Sequence, residues 1–168
     1  MFRIKIIRDD DAESPNLCDE AMFLVSNHRD LSIDMPEDID VDEYDSWEVA
    51  VTSHGTISLA IAGTQHECQW DTVRCARVFV KRSIFDNKLK QYQAAESFIE
   101  CWQQYCDGDI WGFVIETSND CSHCGHAEWE KVDDARGFYG QEDCISEATA
   151  SLKALDPNDS AFKIVIAA

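Results

Sequence analysis

The chain has 168 residues and a formal net charge of −19 at pH 7, from 33 acidic and 14 basic residues. Hydrophobic residues make up 45% of it, including five Trp and eight Phe, which excludes a disordered acidic tail and predicts a sizeable core. The negative charge disfavours direct binding to nucleic acid or anionic membranes, and no apolar run approaches the ~18 residues of a membrane span.

Hydrophobic periodicity predicts an α+β fold in one domain over residues 1–168, with a mostly antiparallel sheet. The first strand has Phe2, Ile4 and Ile6 on one face. The predicted strands cover residues 2–8, 21–25, 47–52, 56–61, 73–80, 109–116, 126–132 and 162–167. One long helix is predicted at about 90–106 and a C-terminal helix at about 142–155, because apolar residues recur there every three or four positions.

Residues 34–48, here called the acidic segment, carry eight carboxylates and neither Lys nor Arg. Pro36 suits the first turn of a helix, so a short helix is expected near residues 36–44. The next third of the chain holds Arg74, Arg77, Lys81 and Arg82, which we expect to neutralise part of this charge within the fold. The eight carboxylates are the first candidate partner-binding residues: Asp34, Glu37, Asp38, Asp40, Asp42, Glu43, Asp45 and Glu48.

A DNA-like surface needs more charge than this segment supplies, so a second acidic patch is expected beside it. The N-terminal loop is the main candidate, and Asp9, Asp10 and Asp11 complete the set of proposed partner-binding residues. Another candidate lies between residues 128 and 134, which include four acids. Such a surface would bind basic proteins, and added salt would weaken that binding.

Cys121, His123, Cys124 and His126 form a Cys-x-x-Cys pair with interleaved histidines. A tight loop can bring two such thiolates to one tetrahedral zinc ion, with the histidines or a distant cysteine as further ligands. A redox pair, a Cys–His hydrolase and a reduced hairpin loop are alternative interpretations. No Walker loop, G-x-S-x-G, H-E-x-x-H or dinucleotide fingerprint occurs, so no catalytic residue and no cofactor other than zinc is predicted.

The N-terminal residues predict the cellular compartment. Apolar and basic residues alternate only as far as Asp9, which leaves no room for the apolar region of a secretory signal. The chain is therefore expected to be cytoplasmic, with most of its eight cysteines reduced.

Several separated stretches share their order with a known group of proteins. They are residues 4–15, Asn16-Leu17 leading to Met22, His28-Arg29, Ser53-His54-Gly55, Trp70-Asp71, residues 105–116 (YCDGDIWGFVIE) and residues 137–140 (GFYG). Together they resemble a family of small uncharacterised proteins of bacteriophages and mobile elements. The resemblance implies a bacterial host cytoplasm and supplies no catalytic residues.

Charge and resemblance together predict an inhibitor of a nucleic-acid-binding host defence complex, of the anti-CRISPR or anti-restriction type. It would present a DNA-like negative surface to a basic protein channel, with no direct contact to nucleic acid or membrane. The alternative is a small zinc-stabilised module or enzyme centred on Cys121–His126.

Overall fold

The structure is a computed structural model that describes residues 1–65, 67–68, 70–120, 127–157 and 162–166. The chain divides into two compact units. Unit 1 consists of residues 1–12 and 108–168, and unit 2 consists of residues 13–107. Unit 2 is thus inserted into the sequence of unit 1.

The described strands and helices are numbered here in chain order. The strands are β1 (Phe2–Arg8), β2 (Met22–His28), β3 (Leu31–Ile33), β4 (Tyr44–Ser53), β5 (Ile57–Ile61), β6 (Thr72–Lys81), β7 (Ile110–Asp120), β8 (Ala127–Tyr139) and β9 (Phe162–Ile166). The α-helices are α1 (Pro15–Cys18), α2 (Lys88–Asp107) and α3 (Gln141–Leu155), and 3-10 turns occupy Val41–Glu43 and Arg82–Ile84.

Strand pairing confirms the predicted α+β class and its mostly antiparallel sheets. Among the described strands, β1 and β9 pair in parallel and every other pair is antiparallel. The long helix predicted at about 90–106 is α2, and the C-terminal helix predicted at about 142–155 is α3. No described helix is both long enough and apolar enough to cross a lipid bilayer.

Unit 1 is a four-stranded sheet in the order β8-β7-β1-β9, with α3 packed on one face. Ile4 and Ile6 alternate along β1 and point to the same side as the α3 residues. The helix contributes Cys144, Ala148 and Leu152, which recur every fourth position and so form one buried stripe.

Unit 2 is a five-stranded sheet in the order β3-β2-β6-β4-β5, and α2 packs on one face. The core between them contains Val78 and Val80 of β6 together with Phe98 and Trp102 of α2. The other face of this sheet, opposite α2, is called the outer face here. It presents the alternate residues of each strand, such as Phe79 of β6.

The helix predicted near residues 36–44 was wrong: this stretch contains only the 3-10 turn Val41–Glu43. Asp38 has a φ of 61°, a left-handed conformation that interrupts a right-handed helix. In a helix, Asp38 would also stand one turn from Asp34 and from Asp42, and like charges at that spacing repel.

The sequence Gly137-Phe138-Tyr139-Gly140 is typical of a turn, but the structure places the bend later than this pattern predicts. Gly137 to Tyr139 belong to β8, which is far longer than the predicted strand at residues 126–132. The chain bends at Gly140, with a φ of 87°, immediately before α3.

Candidate functional site

Residues 34–43 of the acidic segment connect β3 to β4 and lie over the outer face of unit 2. β3 is an edge strand, and β2 and β6 separate it from β4, so the connection has to cross both. Met35 lines a cleft of about 320 Å³ with Val25 of β2 and with Arg77 and Phe79 of β6. Since those three residues alternate with core positions, the crossing takes place on the face opposite α2.

An aromatic cluster lies on the same outer face. Phe23 stacks on Phe79 with ring centroids 4.7 Å apart, and Tyr44 meets Phe23 edge-on at 5.1 Å. Phe23 and Tyr44 are buried although neither belongs to the core under α2. The part of the acidic segment before β4 therefore joins the sheet at Tyr44, on a packed apolar base that restricts where its charges can move.

The last three acids of the acidic segment lie in β4 or directly before it, and they form ion pairs within unit 2. Glu43 Oε2 lies 3.2 Å from Lys81 Nζ. Glu48 lies 3.4 Å from Arg74, whose guanidinium it shares with Glu67 at 2.8 Å. Asp45 is half-buried and lies 2.7 Å from Lys88. The hydrogen bond to Glu43 raises the pKa of Lys81. The expected internal pairing is thus confirmed for Arg74 and Lys81, whereas Arg77 donates a hydrogen bond to Ser46 at 3.1 Å.

The first five acids of the segment are exposed and form no ion pair with any described residue. They are called the open carboxylates here: Asp34, Glu37, Asp38, Asp40 and Asp42. All 14 lysine and arginine residues lie in the described part of the chain, and none of them comes within 4.0 Å of an open carboxylate. Unit 2 as a whole carries 18 acids and seven bases, a net charge of −11. The open carboxylates contribute five of these acids and concentrate them in one short loop.

Local hydrogen bonds fix the end of this loop. The Asp40 side chain accepts a hydrogen bond from the Asp42 backbone N–H at 3.0 Å, and the Asp40 carbonyl accepts one from Glu43 at 3.0 Å. Asp40 therefore caps the 3-10 turn. The carboxylates on this turn are presented by an ordered backbone, which reduces the entropy lost on binding.

A second cleft, of about 420 Å³, adjoins the Met35 cleft at their shared residues Asn27 and Cys75. It is called the Trp70 cleft here. Its lining comprises Asn27, His28, Arg29, Ser53, Trp70, Asp71, Val73 and Cys75. The two clefts make the acidic segment and the end of the sheet one continuous surface.

Polar groups in and beside the Trp70 cleft converge on Asp30. The Ser53 hydroxyl donates to the Asp30 carboxylate at 2.8 Å and Arg29 donates at 3.3 Å, and together they lower the pKa of Asp30, with Ser53 the larger cause. The Asp30 backbone N–H donates to Nδ1 of His28 at 3.2 Å, so the ring proton of neutral His28 is on Nε2.

This arrangement differs from that of a serine hydrolase. Ser53 donates to the carboxylate of Asp30, and no described histidine accepts its proton. A nucleophilic serine needs a histidine as its base, with the carboxylate behind that histidine. The Ser53 hydroxyl is thus held by a carboxylate, and it orients Asp30 at the rim of the cleft.

The N-terminal acids divide between a structural and a surface position. Asp9 is only 8% exposed. Its Oδ2 accepts from the Gly137 backbone N–H at 3.0 Å, and its Oδ1 lies 3.6 Å from Arg136. Asp10 and Asp11 are exposed. Within unit 1, only Asp10 and Asp11 of these three present their charge to solvent.

The acids of β8 form the other candidate patch in unit 1. Glu128, Glu130 and Asp134 are exposed on this edge strand, and Asp133 is half-buried. Lys131 neutralises one of them, because its Nζ lies 2.9 Å from Asp134. This patch therefore has fewer unpaired charges than the acidic segment.

The candidate zinc ligands Cys121, His123, Cys124 and His126 lie outside the described residues. Within the described residues, no group of three or more His, Cys, Asp or Glu side chains is placed to hold a metal ion. Burial raises the pKa of Cys106 and of Cys144 to about 11, so neither thiol is a nucleophile at neutral pH. Zinc binding stays a prediction.

Sequence reasoning missed the Trp70 cleft. Ser53-His54-Gly55 is typical of a hairpin turn by sequence, but in the structure Ser53 ends β4 and the turn occupies residues 54–56. Trp70-Asp71 is by sequence only a pair before a strand. In the sequence, nothing distinguishes Asp30 and Asp71 from the rest of the 33 acidic residues. Only an exposed tryptophan between polar residues could have given a signal, and exposure is not visible in a sequence.

Comparisons of the chain with protein-family models, with curated proteins and with solved structures found no match. The resemblance to phage and mobile-element proteins accordingly stays a prediction. The site has to be interpreted from its own charges, clefts and hydrogen bonds.

Proposed function

We propose that this chain is an acidic phage or mobile-element protein that binds a basic nucleic-acid-binding complex of its bacterial host. The partner would be a defence complex of the CRISPR or restriction type, encountered in the host cytoplasm. By occupying the partner's nucleic-acid channel, the chain would exclude DNA or RNA without contacting nucleic acid itself. The observation that carries this proposal is the set of five open carboxylates, left unpaired while their neighbours in the acidic segment are neutralised.

Charge density limits how such a contact can work. An extended chain rises ~3.3 Å per residue, so residues 34–42 span at most ~26 Å and carry about one open carboxylate per ~5 Å. Duplex DNA carries one charge per ~1.7 Å of axis, and a single strand about one per ~3.4 Å. The loop therefore replaces a short run of phosphates on one strand. We expect it to compete for part of a basic channel, with neighbouring surface supplying the remaining affinity.

The test compares the wild-type protein with an open-carboxylate variant: Asp34→Asn, Glu37→Gln, Asp38→Asn and Asp42→Asn. Asp40 is kept because it caps the turn, and asparagine suits the left-handed backbone of Asp38. A matched control removes the same charge from exposed helix positions: Glu100→Gln, Glu142→Gln, Asp143→Asn and Glu147→Gln.

Each immobilised protein is incubated with bacterial lysate at low and high salt, and retained proteins are identified by mass spectrometry. Each lost ion pair at an exposed contact is worth about 0.2–1 kcal/mol, so the four changes should weaken binding by about 1–4 kcal/mol. We expect wild type and control to retain the same nucleic-acid-binding complex at low salt, and added duplex DNA to compete with it.

Screening should release the complex as the Debye length falls from ~30 Å at 0.01 M salt to ~8 Å at 0.15 M. Equal retention by the open-carboxylate variant, or retention that does not change with salt, would show that these charges are not the contact.

A further inference from the structure

Trp70 has an unusual environment for a tryptophan. Its side chain is 83% exposed, whereas the other four tryptophans are buried or half-buried. Exposing an indole leaves a large apolar surface in water, and solvent-exposed aromatic side chains are enriched where proteins bind partners. Trp70 lies at the edge of a 420 Å³ cleft and not on a flat surface. A ligand can therefore contact both the indole and the cleft.

The chemistry next to Trp70 is that of a cation site. Asp71 follows it in the chain, and its side chain is 40% exposed. Its Oδ2 lies 3.6 Å from His54 Nδ1 and 3.7 Å from the Cys68 sulfur, and no described residue forms a hydrogen bond or an ion pair with its Oδ1. An indole face and a carboxylate edge are the two surfaces that a guanidinium group uses together, by stacking and by paired hydrogen bonds.

The other charged groups around the cleft do not reverse this preference. Arg29 is exposed, but its Nε lies 3.3 Å from Asp30, which offsets its charge locally. His28 is buried, and Nε2 has no hydrogen-bond partner among the described residues. As an N–H donor, Nε2 suits a backbone carbonyl of a bound peptide segment.

The Trp70 cleft also adjoins the acidic segment. Asn27 and Cys75 line both clefts, and Met35 from the acidic segment lines the neighbouring one. A protein bound to the open carboxylates would therefore extend over the Trp70 cleft.

We propose that the Trp70 cleft receives an arginine side chain of that basic partner, with the guanidinium stacked on Trp70 and hydrogen-bonded to Asp71. This inference rests on the proposed function, because the partner is the one held by the open carboxylates. It adds selectivity for arginine over lysine, since a lysine ammonium cannot stack as a plane or form a bidentate fork.

The test uses two fluorescent peptides of equal charge, nona-arginine and nona-lysine, titrated into the full-length protein and followed by anisotropy. A cation–π contact at an exposed site is worth about 0.5–1 kcal/mol, or about two- to fivefold in Kd. We expect the wild-type preference for nona-arginine to fall by that factor in Trp70→Leu. Trp70→Tyr keeps an aromatic face and should retain part of it.

Leu89→Ala removes another exposed apolar side chain, on α2, and is the matched control that should keep the full preference. An unchanged preference in Trp70→Leu, with both peptides still weakened by the open-carboxylate variant, would overturn the arginine site and leave the proposed function standing. If the open-carboxylate variant binds both peptides as tightly as the control charge variant does, the proposed function fails and the inference fails with it.

Discussion

Asp9 belongs to the acidic N-terminal loop but is buried, so Asp9→Ala should lower the free energy of unfolding. The substitution removes a charged acceptor from the Gly137 backbone N–H, 3.0 Å away, in a partly buried position. It also removes the ion pair with Arg136. Both partners belong to β8, so the loss should destabilise unit 1.

The magnitude follows from these two contacts. A hydrogen bond to a charged group contributes about 1.5–3 kcal/mol. The Arg136 side chain is 57% exposed, so solvent screens its pair with Asp9, which contributes at most about 1 kcal/mol. We expect Asp9→Ala to lower the free energy of unfolding by about 1.5–4 kcal/mol. Asp9→Asn keeps an acceptor oxygen for Gly137 and should cost about 1 kcal/mol.

Urea unfolding followed by tryptophan fluorescence and circular dichroism measures this loss as a lower midpoint at an unchanged m-value. Asp10→Ala is the control, because Asp10 is exposed and should change stability by no more than about 0.5 kcal/mol. An Asp9→Ala protein as stable as the Asp10→Ala protein would refute the reasoning. Weaker partner binding at unchanged stability would instead make Asp9 a contact residue.

Two further predictions concern single side chains. The Asn16 side chain accepts hydrogen bonds from the Leu24 N–H at 2.8 Å and from the Trp102 indole at 3.2 Å, and it donates one to the Leu24 carbonyl. Asn16→Ala should therefore lower the free energy of unfolding in urea by about 2–4 kcal/mol. A loss below about 0.5 kcal/mol would contradict this expectation. Burial alone would raise the pKa of Glu116, but the hydrogen bonds from Arg3 and Lys5 outweigh it and lower the pKa from 4.5. The stabilisation by ionised Glu116 is therefore present above pH 4.5 and lost as the pH falls through the lower folded-state pKa. The stability difference between wild type and Glu116→Gln should shrink below pH 4.5, and a constant difference down to pH 3 would count against the ion-pair network.

Much of the secondary structure could be predicted because it depends on short-range pattern. The alternation in residues 2–8 identifies β1, and apolar residues every three or four positions identify α2 and α3. Local signals of another kind failed at residues 36–44, where Pro36 favoured a helix, and at residues 137–140, where GFYG favoured a turn. There, a left-handed Asp38 and an extended β8 override the local helix and turn signals.

Sequence by itself determined the amount of charge, its concentration in residues 34–48 and the α+β class. Tertiary structure alone decided which charges are available. Lys81 and Lys88 neutralise Glu43 and Asp45 because β6 and α2 pack beside β4, and Asp9 is buried because β8 returns to it. These partners are about 40 to 130 residues apart in the chain, so no local pattern encodes their meeting. The exposure of Trp70 is likewise a property of the folded chain, so composition predicted an acidic surface but not the cleft beside it.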